Sequence, residues 1–319
     1  MSGLDVRVAR KTLDGAAVAV FELRAIDGSE LPPFTAGAHV DVHLPGGAVR
    51  QYSLCNAPWE RDRYLLGVQR AAPSRGGSVA LHEAVHEGAV LQIGTPRNLF
   101  ALAPASHTLL LGAGIGITPL LAMAEQLYAD GASFALHYSV RHAATAAFRE
   151  RLATAGYADR VNVHASGDPG GARIPLERVL ARPDARARLC VCGPAGYIAD
   201  VLAAAGAQGW RDEQVCVERF SAESPAVQAG DAAFDVVVAS SGLRVRVAPG
   251  RAVHEALAEA GVEVPVSCEQ GVCGTCVTRV LAGVPDHRDS YLDERERASG
   301  QCMALCCSRA KTPELVLDL

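Results

Sequence analysis

No window of the 319-residue chain approaches the run of about eighteen apolar residues that a helix needs to cross a bilayer, so a helical membrane span is not expected. The first residues, Met1-Ser2-Gly3-Leu4-Asp5-Val6-Arg7, lack the apolar core of a secretory leader. Aromatic residues are scarce, at 5%, and Ala and Val do much of the core filling. An excess of positive charge is also missing. The formal net charge of −5 argues against nucleic acid or an anionic membrane as the main partner. Ten cysteines without an export signal point to a reducing compartment, with thiols available for metal and not for disulfides. The cytoplasm is the expected location. What is present is ordinary globular composition, 49% hydrophobic and 20% charged, over a length that suits about two or three domains.

Three of the cysteines, Cys268, Cys273 and Cys276, fall within nine positions in the stretch Ser267-Cys268-Glu269-Gln270-Gly271-Val272-Cys273-Gly274-Thr275-Cys276. The spacing C-x4-C-x2-C with a distant fourth cysteine is the one that holds a plant-type [2Fe–2S] cluster. Gly271 and Gly274 let the backbone wrap closely and turn its amides inward. The alternative, buried or disulfide-bonded cysteines, does not explain three in so short a loop. Cys302, Cys306 and Cys307 all lie within reach as the fourth ligand. Neighbours on an extended segment point to opposite sides, so Cys306 and Cys307 cannot both ligate one iron.

The first hundred residues alternate in short runs: Val6–Arg10, Val18–Leu23, Val40–Leu44, Val49–Leu54 and Tyr64–Val68. Turns such as Asp14-Gly15, Asp27-Gly28 and Pro45-Gly46-Gly47 separate them, which predicts an antiparallel barrel or sandwich. Within it, Arg50-Gln51-Tyr52-Ser53 sets a cation, an aromatic and a hydroxyl along one strand. Arg75-Gly76-Gly77-Ser78 opens a helix expected over Val79–Val85. A glycine-rich turn into a helix offers amides and a positive dipole end to a phosphate. Each motif in isolation also fits an ordinary strand or loop. His39, His43, His82 and His86 read as surface or satisfied histidines.

After Pro104 the pattern switches to strand–helix repeats. Strands are expected at Thr108–Leu111, Phe134–Ser139, Val161–His164, Leu189–Cys192 and Gln214–Val217, with helices near Ala146–Leu152, Pro175–Leu180 and Tyr197–Ala205. This is a doubly wound α/β unit. The first strand ends in Gly112-Ala113-Gly114-Ile115-Gly116-Ile117-Thr118-Pro119, where Thr118 can cap the next helix. The fourth ends in Cys192-Gly193-Pro194, at the edge where ligands sit in open sheets. The second ends in Tyr138-Ser139-Val140-Arg141-His142, without the acidic residue that marks a free ribose 2′-hydroxyl. Residues 221–230 are small and polar, a flexible connection. A hairpin (Phe234–Ala239, Leu243–Val247), a helix over Val253–Ala260 and strands at Val277–Leu281 and Glu314–Leu317 then surround the cysteine loop.

In order, these motifs resemble the ferredoxin reductase superfamily, and the whole chain resembles the phthalate dioxygenase reductase and vanillate demethylase reductase family, the reductase components of two-component Rieske oxygenases. The segment Pro285-Asp286-His287-Arg288-Asp289-Ser290-Tyr291-Leu292 shares in that likeness, with His287 a loop or docking residue. The resemblance implies an FMN-binding β-barrel over residues 1–104, an NAD(P)-binding α/β domain over 105–221, a linker over 222–233 and a β-grasp [2Fe–2S] domain over 234–319. Arg50, Gln51, Tyr52, Ser53, Val68, Gln69, Arg70, Gly76, Gly77 and Ser78 would surround FMN, favoured over FAD because no adenine-stacking aromatic follows Ser78. Gly112, Gly114, Cys192, Gly193 and Pro194 would hold NADH, which the family uses more often than NADPH. Thr118 would face the flavin, and Phe220 would stack on it as a gate. The family's C-x-S-R ending, matched by Cys306-Cys307-Ser308-Arg309, together with the spacing from Cys276, selects Cys306 as fourth ligand, with Cys302 a spectator. The expected activity is NADH-dependent electron supply, one electron at a time, to a terminal Rieske oxygenase by a monomer, without an acid–base residue. A stand-alone electron carrier would need only the last ninety residues, and a redox sensor would use the cluster without turnover.

Overall fold

The computed structural model describes residues 3–15, 17–45, 47–70, 76–181, 183–220 and 231–319. Arg75 and most of the expected linker lie outside the described residues. The chain divides into two compact units, Met1–Arg219 and Phe220–Leu319, so the barrel and the α/β region form one unit and Phe220 falls with the other.

The first unit begins with β1 (Leu4–Asp14), β2 (Val18–Ala25), β3 (His39–His43), β4 (Val49–Ser53), β5 (Tyr64–Gln69), α1 (Gly77–Ala84) and β6 (Val90–Ile93). Antiparallel pairing gives the order β4-β3-β6-β1-β2-β5, and a bridge from Leu54 to Leu66 joins the two ends of the sheet into a barrel. Alternation drives this closure. Val6, Val8, Phe21, Val40, Val42 and Ile93 point into one fully buried core, while their neighbours face outward. β6 was not expected, since its Val90 is exposed and only Leu91 and Ile93 are buried.

The α/β half runs β7 (Thr108–Ala113), α2 (Ile117–Ala129), β8 (Phe134–Val140), α3 (Arg149–Thr154), β9 (Val161–Ala165), α4 (Leu176–Val179), β10 (Arg188–Cys192), α5 (Ala195–Ala207) and β11 (Val215–Glu218). Its five strands are parallel in the order β11-β10-β7-β8-β9. All of β7 is buried, as its unbroken apolar run requires. Two local expectations fail. Thr118 does not cap α2, because a 3-10 turn over Gly114–Gly116 runs straight into a helix that starts at Ile117. The Thr118 hydroxyl instead donates to the Ile115 carbonyl at 2.9 Å. The helix expected from Ala146 starts at Arg149, because Phe148 takes a left-handed conformation at φ 59° while its N–H donates to Asp14 of β1 at 2.9 Å. That contact joins barrel to α/β half and overrides local propensity.

The second unit holds β12 (Phe234–Val238), β13 (Arg244–Val247), α6 (Val253–Glu259), β14 (Val277–Ala282), β15 (Pro285–Asp286), α7 (Glu294–Ser299), β16 (Cys302–Ala304), β17 (Arg309–Ala310) and β18 (Glu314–Leu317). The sheet order β13-β12-β18-β14-β16, with β12 and β18 parallel at its centre, is the expected β-grasp arrangement. Val253, Ala256 and Leu257 of α6 pack in the same core as Phe234, Val236 and Leu315. α7 escaped the sequence reading because Glu294-Arg295-Glu296-Arg297 carries no apolar stripe. A capping box forms it instead: the Glu296 N–H donates to Asp293 at 2.8 Å, and Gly300 closes the helix at φ 63°.

Candidate functional site

In the second unit the loop between α6 and β14 carries Cys268, Cys273 and Cys276, all buried, and Cys306 enters from the turn after β16. The Gln270 N–H donates to the Cys268 sulfur at 3.3 Å and the Gly271 N–H to the Cys306 sulfur at 3.2 Å. Interaction with Cys273 and then Cys306 holds the Cys268 thiol far below its usual range, and Cys306 likewise draws down Cys276, while the same contacts push Cys273 and Cys306 above theirs, so the four sulfurs lie close enough to share protons. Iron would replace those shared protons, since a metal binds the thiolate form. The contacts run from Cys273 to Cys268, from Cys268 to Cys306 and from Cys306 to Cys276, so the four sulfurs form one connected set, as a plant-type cluster with four cysteine ligands requires. The four-thiol chemistry and the inward amides therefore fit a binuclear cluster.

Two glycines make room for this loop. A Cβ on Gly271, at φ 72°, would lie 2.5 Å from the Cys307 sulfur and 2.9 Å from Asp289 Cα. One on Gly274, also at φ 72°, would lie 2.2 Å from the Tyr291 ring. Cys307 thus packs behind Gly271, with its sulfur 3.9 Å from the Ala304 carbonyl, while Cys306 faces Cys268 and Cys276. Cys302 sits on β16 opposite Arg279, apart from the other thiols. His287 lies in the loop after β15, with its side chain 10% exposed and Nδ1 3.7 Å from Asp289.

In the first unit the register of β3 and β4 splits the Arg50–Ser53 motif between faces. Arg50 and Tyr52 pair with Val42 and Val40, whereas Gln51 and Ser53 pair with Asp41 and His39. Arg50 lies against the start of α1: a Cβ on Gly77 would meet Arg50 Cγ at 2.8 Å. Gly76 precedes it in the left-handed region at φ 87°. An arginine pressed onto a glycine-opened helix start fits a phosphate. Gln69 and Arg70 are exposed at the end of β5. Val68 is different: its side chain is 1% exposed in the barrel core, which leaves its backbone, not its side chain, to flank a ring. Its carbonyl is bound by His82 Nε2 at 2.9 Å. His39 is neither at the surface nor satisfied, since its Nε2 is buried with no hydrogen-bond partner among the described residues. Burial lowers its pKa to about 4.

The two nucleotide turns touch. A Cβ on Gly116 would lie 2.4 Å from the Cys192 carbonyl, and one on Gly193 would lie 2.9 Å from Ala113 Cβ. Gly112 packs beneath Leu120, while Gly114 faces open space at φ 55°. Pro194 starts α5 at φ −59°. Barrel and turns meet at Gly67, where a Cβ would clash with Phe148 and with Thr118 Cγ2 at 2.8 Å. Open glycine space beside the strand ends fits a dinucleotide. Phe220, directly after this region in the chain, is 39% exposed.

Two residues to which the sequence assigned no site role belong here. Glu218 ends β11 in register with Cys192, and Ser53 donates to its carboxylate at 3.4 Å. Burial pushes the Glu218 pKa up to about 8, and burial with Glu218 alongside pushes the Cys192 thiol well above its usual range. The available signal was a carboxylate closing the fifth parallel strand. Asp168, beyond β9, accepts from the Ala143 N–H and sits 2.9 Å from His142 Nδ1, so an acid does stand at the end of β8. It comes from the neighbouring strand, so reading along β8 alone missed it.

Residues 236–311 match the family of 2Fe-2S iron-sulfur cluster binding domains. The chain is 49% identical over 319 residues to a vanillate O-demethylase oxidoreductase of Pseudomonas putida, covering 99% of this chain and 100% of that protein. It is 43% identical to the phenoxybenzoate dioxygenase subunit beta of Ectopseudomonas oleovorans, covering 100% and 98%. Its fold superimposes on phthalate dioxygenase reductase, described as a modular structure for electron transfer from pyridine nucleotides to [2Fe–2S], with TM-score 0.79, 36% identity and coverage of 100% and 98%. With barrel, nucleotide-type sheet and cysteine loop in the same order, the chain belongs to the vanillate O-demethylase oxidoreductase and phthalate dioxygenase reductase family and is an oxidoreductase with a C-terminal [2Fe–2S] domain.

Proposed function

We propose that this protein takes hydride from NADH at FMN and delivers the electrons singly, through its [2Fe–2S] cluster, to a terminal Rieske-type oxygenase. The observation that carries the reading is the meeting, in one unit, of the Arg50–Gly77 cradle, the touching nucleotide turns and the half-buried Ser53–Glu218 pair. When bound, the flavin supplies two-electron uptake with one-electron release, and the cluster holds one electron.

The chain's own residues bind and orient. Arg50, Gly76, Gly77 and Ser78 hold the flavin phosphate, with Tyr52 and Ser53 along the ring. Gly112, Gly114, Cys192, Gly193 and Pro194 hold the nicotinamide nucleotide, with Thr118 on the flavin side. Phe220 covers the flavin face and yields to nicotinamide. Ser53 and Glu218 keep a protonated, water-poor contact beside the reacting face. A single phosphate cradle favours FMN over FAD. Asp168 favours a free 2′-hydroxyl, hence NADH, because a carboxylate repels a 2′-phosphate. Cys268, Cys273, Cys276 and Cys306 would hold the cluster, which would supply one-electron storage. The names of the relatives support an oxygenase as acceptor, and the protein acts as a cytoplasmic monomer.

The test is anaerobic mixing of purified protein with NADH. Flavin absorbance is expected to bleach first, followed by cluster reduction and then reduction of added cytochrome c. Absence of flavin bleaching would sink the reading.

A further inference from the structure

Lysine is almost missing from this chain: Lys11 and Lys311 are the only two, and arginine supplies the other side-chain cations. Lys11 lies on β1, and its Nζ donates to the carbonyls of Leu81 at 3.2 Å, His82 at 2.6 Å and Val85 at 2.7 Å. These groups belong to the last turn of α1 and the residue that ends it. All three ammonium protons are thus used on carbonyls that a helix C-terminus leaves without intrahelical partners. Nζ also stands 5.3 Å from the centroid of Phe21, and the Lys11 N–H donates to Glu87 at 2.8 Å. A planar guanidinium does not match three carbonyls arranged around one point, which explains lysine here in an arginine-rich chain.

We propose that Lys11 is a positioning residue for the flavin phosphate, acting through α1 by clamping its C-terminal end to β1. The proposal rests on the FMN reading above. α1 has eight residues, so its two ends lie about 12 Å apart. Its first turn faces Arg50 through Gly77, and its last turn sits on Lys11. In so short a helix the negative C-terminal end opposes attraction of an anion to the N-terminal end. Lys11 neutralises that negative end. It also fixes the helix against β1, while His82 ties it to Val68 and Glu83 pairs with Arg70 of the β5 side. The N-terminal turn is thereby held in place and its field is left less opposed.

The test compares FMN with riboflavin, which lacks the phosphate, by fluorescence titration of the flavin-depleted full-length chain. Lys11→Met is expected to weaken FMN about tenfold while riboflavin affinity changes less than twofold. Lys11→Arg is expected not to restore FMN affinity. Unchanged FMN affinity in Lys11→Met, or equal weakening of both flavins, would overturn the role. If Lys11→Met does not fold, Lys11→Gln carries the same comparison with the same criteria. Failure of the underlying reading looks different: the unmutated chain would bind FMN and riboflavin equally, and Arg50→Gln would leave FMN affinity unchanged.

Discussion

Desolvation of a single half-buried carboxyl, Glu218, sets a pH dependence. Desolvation pushes its pKa up to about 8 from an ordinary 4.5, against the opposing hydrogen bond from Ser53. The folded pKa lies above the unfolded one. The stability linked to this proton is therefore fully present below pH 4.5 and is lost as pH rises through about 8. Glu218→Gln should flatten the decline in denaturation midpoint between pH 5 and pH 8, because the amide does not ionise. A variant whose pH profile parallels that of the unmutated chain would refute this origin. Asp168 acts at the same scale, by charge. Asp168→Asn should narrow the ratio of kcat/KM for NADH over NADPH by about tenfold, the loss of one favourable ribose contact and of one repulsion. An unchanged ratio would return Asp168 to the role of a loop brace for His142 and Ala143.

Among elements, the cysteine-bearing loop depends on ion pairs that no local pattern marks. Arg288, 9% exposed, makes a two-pronged pair with Asp231, 6% exposed, at 3.1 and 2.5 Å, and bonds Asp286 at 2.9 Å. The Arg288 N–H also donates to Ser308, which follows Cys306 and Cys307, at 3.2 Å. Arg309 adds donors to the Arg251, Ala232 and Ala248 carbonyls and stacks on Phe234. Asp231 therefore ties the start of this unit to the segment bearing the fourth thiol. Removing it leaves a buried guanidinium without its main partner, so Asp231→Ala should cost about 3–5 kcal/mol in denaturant unfolding of the C-terminal unit. A loss below about 1 kcal/mol would class the pair with exposed ion pairs. The shifted α3 belongs to this scale too: Phe148 leaves the helix to meet Asp14, a partner 134 residues away.

For the whole molecule, two compact units divide the work, and the division can be cut. Cys306→Ser should abolish the cluster's visible and paramagnetic signals and cytochrome c reduction, while NADH-dependent flavin bleaching persists. Cys307→Ser should keep the cluster, because its sulfur lies against Gly271 and the Ala304 carbonyl while Cys306 is the one that meets both Cys268 and Cys276. The opposite pattern would move the fourth ligand to Cys307.

Cysteine spacing, strand alternation and glycine turns were enough to mark the three layers of the chain, because each is a short-range pattern with a short-range cause. The C-x4-C-x2-C loop must be local to gather thiols. Buried parallel strands must be apolar throughout, and half-buried strands must alternate. What tertiary structure alone decided involves partners distant in sequence. Ser53 meets Glu218, 165 residues away, Lys11 reaches α1 from β1, and Asp168 stands at the end of a strand not its own. Val68, counted with the flavin because of its place beside Gln69 and Arg70, turned into the core because the barrel closes on its face. Burial depends on the whole packing, so neither the raised pKa of Glu218 nor the orphan ring nitrogen of His39 follows from local sequence. Composition and spacing determined which chemistry the chain can host, and packing decided which side chains face it.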